Sequence, residues 1–151
     1  MKYVHSFRIR APLDMVARFH RRAASLVTLT PTAAGLRMET GPETLSEGDE
    51  MSFSFRLGPL RIQWRARIEG VSSTGFTDRQ IAGPFRQWVH KHTFNPVDST
   101  TTEVVDEVQA ELRHHPMWAA AGLSMWLFLP VMFKYRGEET RRLLERKVPS
   151  P

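Results

Sequence analysis

Apolar and polar residues alternate with a period of two through the middle of this sequence. Met51, Phe53 and Phe55 are separated by serines, and Ile62 and Trp64 are separated by a glutamine. Because successive side chains of a β-strand point to opposite faces, this pattern predicts strands with one apolar and one solvated face. Such strands are typical of an antiparallel sheet that packs on one side only. The middle of the chain therefore predicts a large antiparallel sheet.

In the sequence, helical patterns come before and after most of these strands. The strand pattern covers residues 2–10, 35–40, 50–57, 60–70, 73–82, 85–97 and 101–113. After Pro12, the residues Leu13, Val16 and Phe19 recur at helical spacing, which predicts a short helical region behind the first strand. After Pro116 one long helix is predicted, and its last part, residues 135–147, is charged. This order of elements predicts an α+β fold.

The composition narrows the class of protein. The 151 residues contain no internal repeat or linker, so one domain spanning residues 1–151 is expected. The absence of cysteine excludes disulfides and cysteine nucleophiles, and the N-terminus lacks the apolar core of a signal peptide, so we expect a cytoplasmic protein. The net charge is +5 and the pI about 10.2, but the basic residues are scattered. We therefore expect no specific nucleic-acid partner and a surface that attracts anions in general.

Residues 117–133, MWAAAGLSMWLFLPVMF, form the most apolar segment of the chain. The segment has 17 residues, slightly fewer than the roughly 20 of a membrane-spanning helix, and Pro130 interrupts it near its end. A helix that is apolar nearly all round must be covered by other groups. We therefore expect a buried or cavity-covering helix rather than a membrane span.

Two histidines and two aspartates fall on the apolar faces of neighbouring predicted strands. His90 and His92 share one face of the WVHKHTF strand with a tryptophan and a phenylalanine. Asp106 interrupts an otherwise apolar stripe on the following strand, and Asp78 lies on the preceding one. An acid buried in an apolar stripe must be hydrogen-bonded or paired, because burying it alone costs several kcal/mol. The pattern predicts a His–Asp network on the inner face of the sheet.

This network has two interpretations that the sequence leaves open. His90, His92 and Asp106 are candidate catalytic residues, since histidine titrates near neutral pH and a carboxylate can fix its tautomer. The same residues can instead form a satisfied polar cluster that holds neighbouring strands in register.

A metal site is not expected. The His-x-His of WVHKHTF places two imidazoles on one face, but a zinc site needs three or four ligands and no recognisable spacing supplies the others. His114 and His115 precede a proline and are expected in an exposed loop, while His5 and His20 are expected at the surface or at a boundary.

Residues 75–112, GFTDRQIAGPFRQWVHKHTFNPVDSTTTEVVDEVQAEL, resemble the strand pair of SRPBCC (START/Bet v 1-like) proteins, in particular their cyclase/dehydrase-like ligand-binding branch. The matching residues are Phe76, Asp78, Gln80, Gly83, Pro84, Phe85, Trp88, His90, His92 and Phe94, followed by Thr101 or Thr102, Val105, Asp106 and Val108. APLDMVARFHRRAASLVTLTP is similar to the first helix of that branch and the loop after it, and FKYRGEETRRLLE is similar to the end of its last helix.

The resemblance implies a helix-grip fold, in which a curved antiparallel sheet of about seven strands wraps around a long C-terminal helix and leaves a cavity. Members of the superfamily bind or transform hydrophobic molecules such as lipids, sterols, polyketides and quinones. We therefore expect a cavity between the inner sheet face and residues 117–133. The expected ligand-binding residues are Phe53, Phe55, Trp64, Phe76, Asp78, Gln80, Trp88, Phe94, Met125, Trp126 and Leu129.

The expected function is binding of a small hydrophobic ligand, such as a lipid or polyketide. The alternative is an enzyme of the polyketide aromatase/cyclase or dehydratase type that uses His90, His92 and Asp106 in the same cavity. A third class is lipid delivery, in which the basic surface contacts anionic membranes transiently and residues 117–133 gate the cavity. No cofactor is expected, because the sequence has no glycine-rich phosphate loop, and no G-x-S-x-G elbow supports hydrolysis.

Overall fold

A computed structural model of the protein describes residues 1–146. Its elements are β1 (Lys2–Ile9), α1 (Leu13–His20), α2 (Ala23–Thr28), a 3-10 turn (Thr32–Ala34), β2 (Arg37–Thr40), β3 (Glu50–Leu57), β4 (Leu60–Ser72), β5 (Gly75–Ala82), β6 (Phe85–Pro96), β7 (Thr102–Leu112) and α3 (Pro116–Glu145). The strand ends lie within two residues of the predicted ones. The predicted end of the last helix, residue 147, lies outside the described residues.

The strands form one antiparallel sheet in the order β1-β7-β6-β5-β4-β3-β2. Consecutive strands from β2 to β7 are neighbours, as expected for short hairpin connections. The first strand closes the other edge by pairing with β7, where Tyr3 lies opposite Val108 and Phe7 opposite Val104. The helix-grip α+β architecture predicted from the sequence is confirmed.

One face of this sheet is buried and the other is solvated. In β4 the side chains of Ile62, Trp64, Ala66 and Ile68 are at most 6% exposed, while the arginines between them face solvent. The burial therefore follows the period of two that the sequence shows. The buried face is the inner face, and α3 lies across it.

Small residues let α3 approach the sheet closely. A side chain at Gly122 would lie 2.8 Å from Leu112 Cδ2 and 3.2 Å from a ring atom of Phe85, and Gly137 faces the Phe7 ring. Of the two alternatives expected for the apolar part of this helix, buried or cavity-covering, full burial is not observed. Only 22% of its most apolar 18-residue window is buried, although the helix is long and apolar enough to span a membrane by length and composition.

The two short helices are tied to the segment that precedes β3. The backbone N–H of Leu45 donates to the Arg21 carbonyl, and that of Ala23 donates to the Glu43 carbonyl. The short helices expected after the first strand are confirmed, and the chain divides them at Arg21–Arg22, where it makes these contacts. As a result, α1 ends close to the inner face, with the His20 ring 5.1 Å from the Phe94 ring.

Candidate functional site

Strand register brings the predicted His–Asp network together. Asp78 on β5 lies directly opposite His90 on β6, and His92 lies directly opposite Asp106 on β7. All four side chains point to the inner face, so each histidine has one aspartate opposite and one on the diagonal. His90 and His92 are each 4% exposed and Asp106 is 5% exposed. The predicted partnership of these residues is confirmed as a structural fact.

Each imidazole lies between the two carboxylates. His90 Nε2 donates to Asp106 Oδ1 over 3.0 Å, and His92 Nε2 donates to Asp78 Oδ2 over 3.3 Å. The other ring nitrogens are also close to carboxylates, with His90 Nδ1 at 3.2 Å from Asp78 Oδ2 and His92 Nδ1 at 2.9 Å from Asp106 Oδ1. The last contact is electrostatic, because its geometry does not align the N–H with the oxygen.

The attraction between imidazoles and carboxylates stabilises the ionised forms of the side chains in this cluster. Burial alone would lower the pKa of His90, but the charge of Asp78 and the hydrogen bonds to both aspartates outweigh burial and raise the pKa to about 9. Burial alone would raise the pKa of Asp78 and Asp106, yet their contacts with the histidines lower the pKa of both carboxyls. At neutral pH a protonated His90 therefore lies between two carboxylates.

The donor atoms of the cluster suit a divalent cation in type but not in arrangement. One donor atom each of Asp78, His90 and His92 lies within 4.8 Å of the other two. The two imidazole centroids are only 3.9 Å apart, whereas two imidazoles on a tetrahedral zinc ion have centroids about 5 Å apart. Closely packed, tilted imidazoles that face carboxylates on both sides form an ion-paired cluster, so we propose no metal centre here.

A small pocket adjoins the cluster and has a volume of about 30 Å³, roughly enough for one water. Its polar lining residues are His20, Arg22, Ser25, Asp78, His92 and Arg136, and its apolar ones are Ala23, Leu26, Leu29, Leu45, Met51 and Phe76. This pocket is smaller than the ligand-sized cavity expected under residues 117–133, and it is not under that segment. It lies instead between α2, the start of β3 and the charged half of α3.

Aromatic side chains fill the place where that cavity was expected. Phe133 is fully buried, with its ring edge-on to His90 at 5.3 Å and 5.5 Å from the Tyr3 ring. Of the expected ligand-binding residues on α3, Leu129 is buried in the core, whereas Met125 and Trp126 are partly buried against it. None of the three lines the pocket.

The other expected ligand-binding residues form two groups. Phe53, Phe55, Trp64 and Trp88 pack on one another, with Trp64 at 5.3 Å from Trp88 and 5.9 Å from Phe53. This aromatic block is core, and it does not line the pocket. A second group stands beside the cluster, where Phe76 stacks on His92 at 4.4 Å, and Phe94 lies 6.4 Å from Phe76.

Gln80 has a different role from the one expected. Its Nε2 donates to the Phe85 carbonyl over 2.8 Å, and its Oε1 accepts from the Phe85 N–H over 3.3 Å. Both ends of the amide are therefore used to close the turn between β5 and β6. The structure places Gln80 outside the His–Asp cluster.

Two pocket residues were not recognised from the sequence. His20, expected at the surface or a boundary, lies 6.3 Å from the His92 ring. Its Nδ1 donates to the Val16 carbonyl, and burial lowers its pKa to about 4. Arg136 comes from the charged half of α3. The helical spacing of Phe133, Gly137 and Thr140, which are buried, places Arg136 at the edge of the inward stripe and could have indicated it.

A larger groove on the opposite face of the sheet is a solvated surface. Its volume is about 320 Å³, and its lining includes Glu69, Arg79, Lys91 and Glu107. Arg79 is already paired with Glu69 at 3.0 Å and Glu107 with Lys2 at 2.9 Å. The groove is open and its charges are compensated, so the pocket beside the cluster is the better candidate site.

No family model and no curated protein matches this sequence. Solved structures do match. The Zhui aromatase/cyclase of Streptomyces sp. R1128 superposes with a TM-score of 0.79 at 12% identity, over 99% of this chain and 96% of that one. Norcoclaurine synthase of Thalictrum flavum superposes with a TM-score of 0.72 at 12% identity, over 99% and 89%. The chain has the SRPBCC fold. At these identities the similarity concerns the fold alone.

One match is closer in sequence and covers a smaller part of its protein. A nucleoside-diphosphate sugar epimerase of Corynebacterium glutamicum is 27% identical, with a TM-score of 0.68. The match covers 95% of this chain but 29% of the epimerase. This chain therefore corresponds to less than a third of that longer protein.

Proposed function

We propose that this SRPBCC protein binds a small hydrophobic molecule in the pocket between α2, β3 and α3. The observation that carries the proposal is that the pocket lining contains both apolar and polar side chains. Leu26, Leu29 and Met51 offer apolar walls, while Asp78 and His92 offer polar groups from the buried cluster. A pocket with apolar walls and a few fixed polar groups is typical of a ligand site. Structural similarity to proteins that act on small aromatic molecules supports the same class of ligand.

The pocket must widen to hold such a ligand. Its volume is about 30 Å³, whereas sites for drug-sized molecules measure roughly 300 Å³ or more. The six-residue helix α2 forms one wall and is held by the backbone bonds of Arg21 and Ala23 to residues 43–45. We propose that α2 moves away from Phe76 when the ligand enters.

Native mass spectrometry of freshly purified protein, together with melting temperatures across a library of hydrophobic compounds, tests this proposal. We expect a co-purified or added ligand to raise the melting temperature by mass action. Leu26→Trp should fill the pocket and remove that shift. Val27→Trp is the matched control, because Val27 neighbours Leu26 on α2 but is 42% exposed. An empty protein with no thermal shift from any compound would contradict the proposal.

A second candidate is an enzyme of the polyketide cyclase or dehydratase type. It is favoured because Asp78 and His92 line the pocket and belong to a cluster in which His90 holds a proton. In this mechanism His92 and Asp78 exchange a proton with the ligand, and His90 and Asp106 keep the cluster charged and oriented.

An assay of ring closure of a poly-β-ketone thioester, monitored by ultraviolet absorbance, tests this mechanism. His92→Gln should abolish turnover while ligand still raises the melting temperature. Equal turnover in wild type and His92→Gln would exclude this role.

A further inference from the structure

Two arginines at the pocket have no partner among the residues that the structure describes, 1–146. Arg22 and Arg136 both line it, and neither side chain makes a hydrogen bond or ion pair with any residue of the described part of the chain, 1–146. By contrast, Arg142, on the same helix as Arg136, is bound to Glu139 at 2.6 Å. The Arg136 guanidinium lies 5.6 Å from the Phe133 ring centroid, which orients it but does not neutralise it.

The other polar groups of the pocket already have partners. Asp78 is bound by His92 and lies 3.2 Å from His90, so its charge is compensated. Ser25 Oγ donates to the Phe19 carbonyl, and His20 Nδ1 donates to the Val16 carbonyl. Among the charged side chains of the pocket, those without a hydrogen-bonded or ion-paired partner in residues 1–146 are therefore Arg22 and Arg136, and both are positive.

We propose that the ligand carries a carboxylate, which Arg136 and Arg22 bind while its apolar part lies against Leu26, Leu29 and Met51. The planar guanidinium matches a carboxylate in a two-point hydrogen bond that an ester or alcohol cannot reproduce. The ligand class is an apolar carboxylic acid with a hydrocarbon or aromatic body. This inference rests on the proposed binding function and specifies what the pocket recognises.

Binding of dodecanoic acid and of its neutral methyl ester, measured by calorimetry on the full chain, tests the carboxylate. We expect wild type to bind the acid at least tenfold more tightly than the ester, since charge-assisted hydrogen bonds contribute about 1.5–3 kcal/mol. Arg136→Gln should remove this preference by weakening binding of the acid. Arg142→Gln is the matched control and should retain it, because Arg142 lies on α3 but outside the pocket lining.

The outcomes separate this inference from the proposed function. Equal binding of acid and ester by wild type overturns the carboxylate site and leaves hydrophobic binding intact. A preference for the acid that persists in Arg136→Gln also overturns it. Failure of wild type to bind either compound counts against the proposed function itself.

A separate observation concerns the outer face of α3, which consists of Met117, Leu123, Leu127, Phe128 and Val131. Their side chains are 53%, 44%, 71%, 50% and 58% exposed, respectively. The opposite side of the helix is packed on the sheet through Leu129 and Phe133. The outer face is therefore a continuous apolar surface on a helix that is fixed in place.

The formally charged residues near the outer face in the sequence are all positive. No aspartate or glutamate occurs between Glu111 and Glu138, whereas Arg113 and Lys134 lie near its two ends and are exposed. We infer that the outer face of α3 binds the surface of an anionic lipid bilayer. Apolar side chains would enter the headgroup region and the cations would meet the lipid charge. Pairing with a second copy of the chain is disfavoured, since it would bring like charges together.

Flotation with phosphatidylcholine vesicles, with and without phosphatidylglycerol, tests this surface. We expect binding only to the anionic vesicles, weakened by salt. Leu127→Ser should reduce binding about tenfold, as expected for losing one buried leucine. Val27→Ser, an exposed position on α2, should not. Equal binding to neutral vesicles, or unchanged binding by Leu127→Ser, would overturn the inference. A dimer in solution that Leu127→Ser dissociates would assign the surface to a second copy instead.

Discussion

At the scale of single residues, the structure depends on a balance between two imidazoles and two carboxylates. Each member of the cluster neutralises a neighbour that would be costly to bury alone. Asp78 and Asp106 lie at the two ring nitrogens of His90, at 3.2 and 3.0 Å. Removal of one carboxylate therefore leaves the buried positive charge of His90 with a single carboxylate partner.

We expect Asp106→Asn to lower the free energy of unfolding by about 3 kcal/mol at pH 7, since breaking a buried ion pair from one side is strongly destabilising. Urea unfolding followed by fluorescence measures it. Lys2→Gln serves as the control, because the Lys2–Glu107 pair is solvent-exposed and should contribute less than about 1 kcal/mol. If the two substitutions had equal effects, the cluster would not be the stabilising unit described above.

The raised pKa of His90 also predicts how stability depends on pH. Below about pH 6.5 His90 is protonated in both folded and unfolded chains, so its full contribution is present. Above that pH the unfolded chain loses the proton first, and the contribution falls until pH passes the folded pKa of about 9. The lowered pKa values of Asp78, Asp106 and His20 affect the free energy of unfolding at pH values below this range.

We therefore expect the free energy of unfolding to drop by a few kcal/mol between pH 6.5 and 9. Unfolding curves at closely spaced pH values provide the measurement, and His90→Gln should flatten the slope. An identical slope in wild type and His90→Gln would show that another group controls it.

The cluster itself was predictable because strand alternation fixes which side chains share a face. Alternation alone places His90, His92 and Asp106 together on the inner face. It could not place His20 or Arg136, because they come from helices whose position on the sheet is set by packing. It also did not indicate the bond from Gln80 to the Phe85 carbonyl, because a hydrogen bond to a residue five positions away leaves no trace in the alternation.

At the scale of elements, the approach of β5 to β6 is set by a glycine. Gly75 begins β5 with φ +155°, and a Cβ there would collide with the carbonyl oxygen of His92. Three residues later β5 supplies Asp78 to the cluster. The close contact of the two backbones at Gly75 therefore fixes how near Asp78 comes to both histidines.

We expect Gly75→Ala to destabilise the protein by about 1–3 kcal/mol more than Gly70→Ala does. Gly70 is the matched control, because it has φ +62° but open space where a Cβ would lie, so it reports the backbone strain alone. Thermal unfolding of both variants gives the difference. Equal losses would mean that β5 can shift freely against β6.

The elements were well predicted where the sequence repeats with a single period and one face of the element is buried. Strands β3 to β7 have clear alternation and turn residues, so their ends were found to within two residues. Helix α3 was harder, because apolar residues surround it and its sequence does not tell a covered face from an exposed one. Its exposed Leu127 and Val131 contradict the expectation of full burial.

At the scale of the whole molecule, the interior is packed with aromatic rings rather than hollow. The order of elements and the family resemblance were enough to predict the fold. The volume left inside was not predictable, because it depends on how side chains such as Phe133 and Trp64 fill the space between sheet and helix. A ligand must therefore displace packed groups.

We expect Phe133→Ala to open a cavity beside His90 and to lower the free energy of unfolding by about 3–5 kcal/mol. Added toluene should fill that cavity and raise the melting temperature of the variant, but not of wild type. Phe128→Ala, five residues away and 50% exposed, should change stability by no more than about 0.5 kcal/mol and gain no toluene response. A toluene response in wild type equal to that of Phe133→Ala would show that the interior is already open.

The pairing of β1 with β7 has a consequence for biosynthesis. Lys2 lies opposite Gln109, so the first strand finds its partner only after about a hundred further residues have been made. At ribosomal rates this takes roughly 5–20 s, during which β1 has no neighbour in the sheet. Its exposed Lys2 and Arg8 place positive charge along the unpaired strand, which discourages pairing with other nascent chains. The sheet is thus completed only after β7 has been made.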